Sequence, residues 1–141
     1  MPVMLARLAF VLMVATAVPA AASQPLAINA TCAAALAGDA SHVRTLRDGI
    51  ARALAKQPHQ IPGGYTIDVA LVRLDVTPAA GNEIQIRTEV RAALSDARGE
   101  VKKVSTITSL ARGPQRDRAL LQRDAIVESA WQLATRLAKR G

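Results

Sequence analysis

The chain has 141 residues, half of them apolar, with 18 Lys or Arg against 11 Asp or Glu and a formal net charge of +7. That length suits one domain with one core, and so basic a surface attracts anionic polymers or lipid headgroups while leaving the fold open. Aromatic side chains make up 2% of the sequence, too few for the stacking platforms that single-strand nucleic-acid binders need, so nucleic acid is set aside as a partner.

The first residues, Met1 to Arg7, carry one positive charge and no acid, and Leu8 to Val18 is an unbroken run of apolar and small residues with Thr16 the only hydroxyl. Pro19 ends it, and Ala20-Ala21-Ala22 supplies the small side chains a signal peptidase requires. This pattern predicts a secretory signal over 1–22, cleaved after Ala22, and a secreted or periplasmic mature protein. A membrane anchor would need about 20 predominantly apolar residues, so the mature form is expected not to span a membrane. Residues 23–40 are expected to be a partly ordered N-terminal segment, and 41–141 the folded domain. Cys32 is the only cysteine. Thr31 before it and Asn29 at the third place back do not match a lipid-attachment motif, and one thiol cannot close an internal disulfide.

Val43, Leu46, Ile50 and Leu54 recur at steps of three, four and four, one face of a helix. Asp39 or Ser41 could cap its start, Arg44, Arg47, Asp48 and Arg52 fill its other faces, and Pro58 stops it. Pro62-Gly63-Gly64 forms a loop before three strands, Thr66 to Val76, Glu83 to Leu94 and Val101 to Leu110. Turns at Pro78–Asn82 and Ser95–Gly99 join them. In the second strand Ile84, Ile86, Thr88, Val90, Ala92 and Leu94 face one way, and Glu83, Gln85, Arg87, Glu89 and Arg91 the other. Gly113-Pro114 opens a last helix. Its apolar stripe of Ile126, Ala130, Leu133 and Leu137 is widened by Val127, Trp131 and Ala134. The fold class is α+β: a two-layer sandwich of helix, three-stranded antiparallel meander and helix, behind a cleaved signal helix.

The first strand is apolar on both faces. If Val72, Leu74 and Val76 face the helices, Ile67, Val69 and Leu71 face away. The third strand can be read in two registers, and the one that buries Val104 and Leu110 puts Val101 and Ile107 outside. Ile67, Val69, Leu71 and Val101 then form a candidate partner-binding patch, since an exposed apolar surface needs a cover. The segment Leu26 to Leu36 folding over it, or a β-bulge that switches the phase of the strand, would remove the need for a partner. On the same outer face Arg87, Arg91 and Lys103 would lie together. Arg112, Arg116, Arg118 and Arg123 gather where the third strand meets the last helix. These seven are candidate anion-binding residues, against the plainer reading of a solvated charged face.

No catalytic or metal constellation emerges. His42 and His59 lack a nucleophile motif nearby, and one cysteine with two histidines does not make a zinc site. Asp68 and Asp75 differ by seven positions on one strand and point to opposite faces. Gly63-Gly64 is not followed by the lysine and hydroxyl of a phosphate loop. No cofactor is expected.

The stretch from Tyr65 to Val76, with Glu89 to Gly99 after it, resembles small modules of secreted bacterial proteins. Over residues 41–138 the helix–meander–helix order is similar to envelope lipoproteins of the lipopolysaccharide-assembly and penicillin-binding-protein-activator kind. The resemblance implies a non-enzymatic envelope role and transfers no functional residue. The expected function is a secreted or periplasmic binding or assembly module. It would meet an envelope protein, or its own copies, through the outer sheet face or an edge strand. The alternative is a loose binder of anionic envelope polymers or lipid headgroups.

Overall fold

The computed structural model describes residues 25–33 and 40–139. The expected signal over 1–22 and the candidate cap Asp39 lie outside them. In chain order the elements are β1 (Ala27–Cys32), α1 (Ala40–Ala55), β2 (Thr66–Pro78), β3 (Glu83–Ser95), β4 (Val101–Pro114), a single 3₁₀ turn (Gln115–Asp117) and α2 (Arg118–Ala138). The α+β sandwich is as expected: one sheet, in the order β1-β2-β3-β4, with the helices on one face.

One strand is additional. Rather than folding over the sheet, residues 27–32 join its edge, pairing in parallel with β2 from Ala27↔Thr66 to Cys32↔Leu71. Alternation explains this. Ile28, Ala30 and Cys32 are half-buried against the core, while Ala27, Asn29 and Thr31 are exposed. Ala27 and Ala33 also donate their amides to the carbonyls of Tyr65 and Leu71 at 3.0 and 2.9 Å.

β2 contains the bulge that removes its two-faced appearance. Leu71 pairs with Val90 and Arg73 with Glu89, so Val72 is left without a cross-strand partner. The extra residue shifts the phase by one. Ile67, Val69 and Leu71 before it face the helices, and Leu74 and Val76 after it pack there as well. The expected partner patch is therefore corrected: Ile67, Val69 and Leu71 are 0, 2 and 0% exposed and form the centre of the core. Replacing Leu71 with Asp would unfold the protein by burying a charge and would report on no interface.

The other register of β4 is the one adopted. Ile107 and Ser109 face the helices and are buried, while Val104 and Leu110 stand 72 and 65% exposed on the outer face. Val101, at the strand end beside a second register shift, is also exposed. Above the sheet α1 lies mainly over β1 and α2 over β3 and β4. Leu46, Ile50, Val90, Ile126 and Leu133 are each fully buried between the layers. Complete burial of side chains of this size contributes about 1.5–3 kcal/mol each. A buried hydroxyl chain crosses the layers, Thr88 Oγ1 to Ser129 Oγ at 2.9 Å and Ser129 Oγ to Ser109 Oγ at 2.9 Å.

Strand directions make α1 and α2 run parallel. Their contacts agree, since Gly49 lies against Ala130 and, further along, the Gln57 side chain donates to the Thr135 hydroxyl at 3.3 Å. A Cβ on Gly49 would sit 3.0 Å from the Ala130 Cβ, so the absent side chain is what lets the helices approach this closely. At the β3–β4 hairpin the Asp96 carboxylate accepts from the amides of Arg98 and Glu100 at 2.9 and 3.0 Å, with Gly99 at φ 84° closing the turn. Partial burial opposes the Asp96 charge, but those two amides and Lys102 outweigh it and hold the carboxyl below its usual range.

Candidate binding surfaces

The outer sheet face is a charged lattice in near balance. Across β2 and β3, Arg73 stands opposite Glu89 and Asp75 opposite Arg87. Ion pairs join Arg91 to Glu89 at 3.2 Å, Arg73 to Asp75 at 3.6 Å and Arg112 to Glu83 at 3.6 Å. Three of the candidate anion-binding residues, Arg87, Arg91 and Arg112, therefore face acids across or along the strands.

Lys103 is not on this face. The register that buries Ile107 and Ser109 also turns Lys103, paired with the inward Leu94, toward the helices, where its Nζ donates to the carbonyl of Leu137 at 3.2 Å and to that of Lys139. It closes the C-terminal turn of α2, where four carbonyls lack helical partners and the dipole favours a cation. Arg116 and Arg118 flank Asp117 at the 3₁₀ turn, and Arg116 borders a shallow hollow with Asn82 and Gln115. Arg123 lies on the helical side of the molecule. The seven basic residues are thus spread over separate surfaces and form no single cluster.

Two surfaces stand out. The first is β4 itself. It spans 14 residues, and among the described residues no strand pairs with its outer edge. Its outward side chains include Val104, Thr106, Thr108 and Leu110, beside Ala93 and Arg91 of β3. The Arg136 guanidinium of α2 donates to the Thr106 carbonyl at 3.2 Å and so covers one point of the edge. Val101, 55% exposed, is the one residue of the expected partner patch that lies at the surface.

The second is a groove of about 350 Å³ between the solvent-facing sides of α1 and α2. Arg44, Asp48, Arg52 and Lys56 border it at four-residue spacing, and Arg123, Val127 and Trp131 do so from α2 at the same spacing. Trp131, expected to widen the core stripe, is 43% exposed here, and Val127 42%. The four-residue repeat of α1 was visible in the sequence. The meeting with Arg123 was not, because it depends on the two helices running parallel.

The histidines are not brought together. His42 sits in the first turn of α1, and His59 borders a hollow of about 560 Å³ at the end of the sandwich, with Tyr65, Leu94 and Lys139 and without a carboxylate in its lining. Among the described residues no helix is long and apolar enough to cross a membrane.

No family model matches this chain, and no curated protein matches it in sequence. Solved structures do match in fold. A Xanthomonas campestris protein of the family described as DUF330 superposes with a TM-score of 0.59 at 18% identity, covering 82% of this chain and 81% of its own. A minor lipoprotein from Acinetobacter baumannii gives a TM-score of 0.55 at 14% identity, over 82% and 92% of the two chains. The PelC dodecamer subunit from Paraburkholderia phytofirmans gives 0.55 at 14%, over 84% and 91%. The chain therefore carries an α+β fold that occurs among bacterial lipoproteins.

Proposed function

We propose that this protein is a non-enzymatic envelope module that assembles with protein partners through the outer edge and outward face of β4, its own copies first among them. The observation that carries this reading is the exposure of Val104 and Leu110, at 72 and 65%, on a strand whose outer edge no described strand pairs. Such an edge presents unused amides and carbonyls that a further strand can complete, and the apolar side chains beside it would supply selectivity. Two comparisons support the reading: the fold occurs in a bacterial lipoprotein, and a protein of the same fold is built as a dodecamer.

The test is the oligomeric state of the purified protein by light scattering across a concentration series, with the double substitution Val104→Asp and Leu110→Asp. Both positions are exposed, so the variant should keep its circular dichroism and melting temperature. It should be monomeric where the parent protein associates. A parent that stays monomeric at high concentration, or a variant that associates equally well, would sink the proposal.

A further inference from the structure

The groove between α1 and α2 is unusual in what it leaves uncompensated. Arg44, Arg52, Lys56 and Arg123 border it, and none of the four makes an ion pair with a described residue. Asp48, the acid in its lining, is paired instead with Arg47 at 3.7 Å. Residues four apart on a helix are neighbours, so Asp48 stands between Arg44 and Arg52 along the stripe, one acid among four cations. The lining therefore keeps an excess of positive charge that an anion could balance. The remaining wall is Val127 and the indole of Trp131, both exposed. An apolar ring face flanked by convergent cations matches the composition of a small ligand site, and about 350 Å³ falls at the lower end of the range for such sites.

We propose that this groove binds an anionic saccharide, a sugar ring bearing a phosphate or carboxylate. The guanidinium groups would take the anion in paired hydrogen bonds, for which their planar fork is suited. The Trp131 face would take the apolar side of the ring. The floor argues against a lipid chain. Gly49 and Ala130 are packed so closely that a Cβ would clash there, which closes any path between the helices into the core. A single indole, the only tryptophan in the chain, argues against a run of stacked bases. This site shares no residue with the β4 surface and goes beyond the assembly role.

That single tryptophan also makes the test direct, because intrinsic fluorescence reports on the groove. The full chain is titrated with glucose 1-phosphate and with an oligogalacturonide. Neutral glucose, inorganic phosphate, polyglutamate and phosphatidylglycerol vesicles are the comparison arms. The expected result is a saturable change in Trp131 emission with the two anionic saccharides and a weak or absent one with the other four. Arg52→Glu and Arg123→Glu should each weaken binding about tenfold or more, the loss of one charge-assisted pair. Asp48→Asn should tighten it about threefold, by removing a nearby like charge. Circular dichroism of the variants confirms folding, all three positions being exposed. An equal response to phosphate would reduce the site to a simple anion site. An equal response to vesicles or polyglutamate would reassign it to a lipid surface or an acidic polypeptide. Either outcome, or no change with the saccharides, overturns the proposal.

Discussion

Three hydroxyl groups hold the layers in register at the centre of the molecule. Ser129 on α2 bonds both Thr88 of β3 and Ser109 of β4, which are direct cross-strand neighbours. Thr88 and Ser129 are fully buried and Ser109 nearly so. In a dry interior a hydroxyl stripped of its partner keeps its desolvation penalty, about 1–3 kcal/mol. Ser129→Ala removes a partner from both strands at once. It should lower stability by about 2 kcal/mol or more in urea unfolding, with no change in the oligomeric state read at β4. An unchanged unfolding midpoint would show that the chain of hydroxyls does not matter for stability.

These same hydroxyls explain which register β4 takes. Its sequence alternates apolar and hydroxyl residues in both phases: Val104, Thr106, Thr108 and Leu110 in one, Ser105, Ile107 and Ser109 in the other. Hydropathy favours burying Val104 and Leu110. The phase adopted instead gives Ser129 a second partner, Ser109, beside Thr88 of β3, and buries Ile107. That preference comes from a side chain on α2, beyond the reach of any local pattern.

At the scale of elements, β3 was legible because its period of two is unbroken, with Ile84, Ile86, Thr88, Val90, Ala92 and Leu94 inward and Glu83, Gln85, Arg87, Glu89 and Arg91 outward. β2 was not, because a bulge leaves no mark in a run that is apolar on both faces. Val72 alone reconciles Leu71 and Leu74 as inward residues. Deleting Val72 forces one half of the strand to turn over. Either Leu74 and Val76 move to the outer face, or Ile67, Val69 and Leu71 do, while charged neighbours move in. The loss should exceed about 3 kcal/mol from core vacancy and buried charge together. The substitution Val72→Ala keeps the residue count and should cost about 1 kcal/mol or less. Thermal unfolding of the two variants checks this. A deletion variant as stable as the substitution would mean the bulge is dispensable. The helices show the same division. The inward stripe of α2 was readable from spacing, whereas Trp131, one step off that stripe, is exposed because α1 approaches at Gly49 and Ala130 and the indole lies to the side of that contact.

On the scale of the whole molecule the positive charge is distributed unevenly. On the outer sheet face arginines sit opposite or beside Glu83, Glu89 and Asp75. Between the helices four cations face a groove whose acid is engaged elsewhere. Composition could reveal the excess of cations but not its location, because location depends on which helix faces meet. The two surfaces should therefore respond oppositely to salt. Ligand affinity at the helical groove should fall as ionic strength shortens the Debye length from about 10 Å at 0.1 M to about 3 Å at 1 M. Association through Val104 and Leu110, an apolar contact, should hold or strengthen in a salting-out salt such as sulfate. Parallel fluorescence and light-scattering series over the same salt range measure both. A common salt dependence would mean that a single surface serves both.

The parallel pairing of β1 with β2 has a consequence for the order in which the chain is completed. β1 is synthesised before its partner, and Ala27 must find Thr66, 39 positions later. Every other strand contact is to the next strand in the chain through a short turn. Contacts so distant form late, because the closure entropy of the intervening loop must be met first. The first strand to emerge is thus the last to be fixed, and until β2 arrives its six residues are an unclaimed edge segment. In that interval a crowded pair of chains could exchange β1 for one another's, giving a dimer of intact sandwiches by a route that does not use the β4 surface.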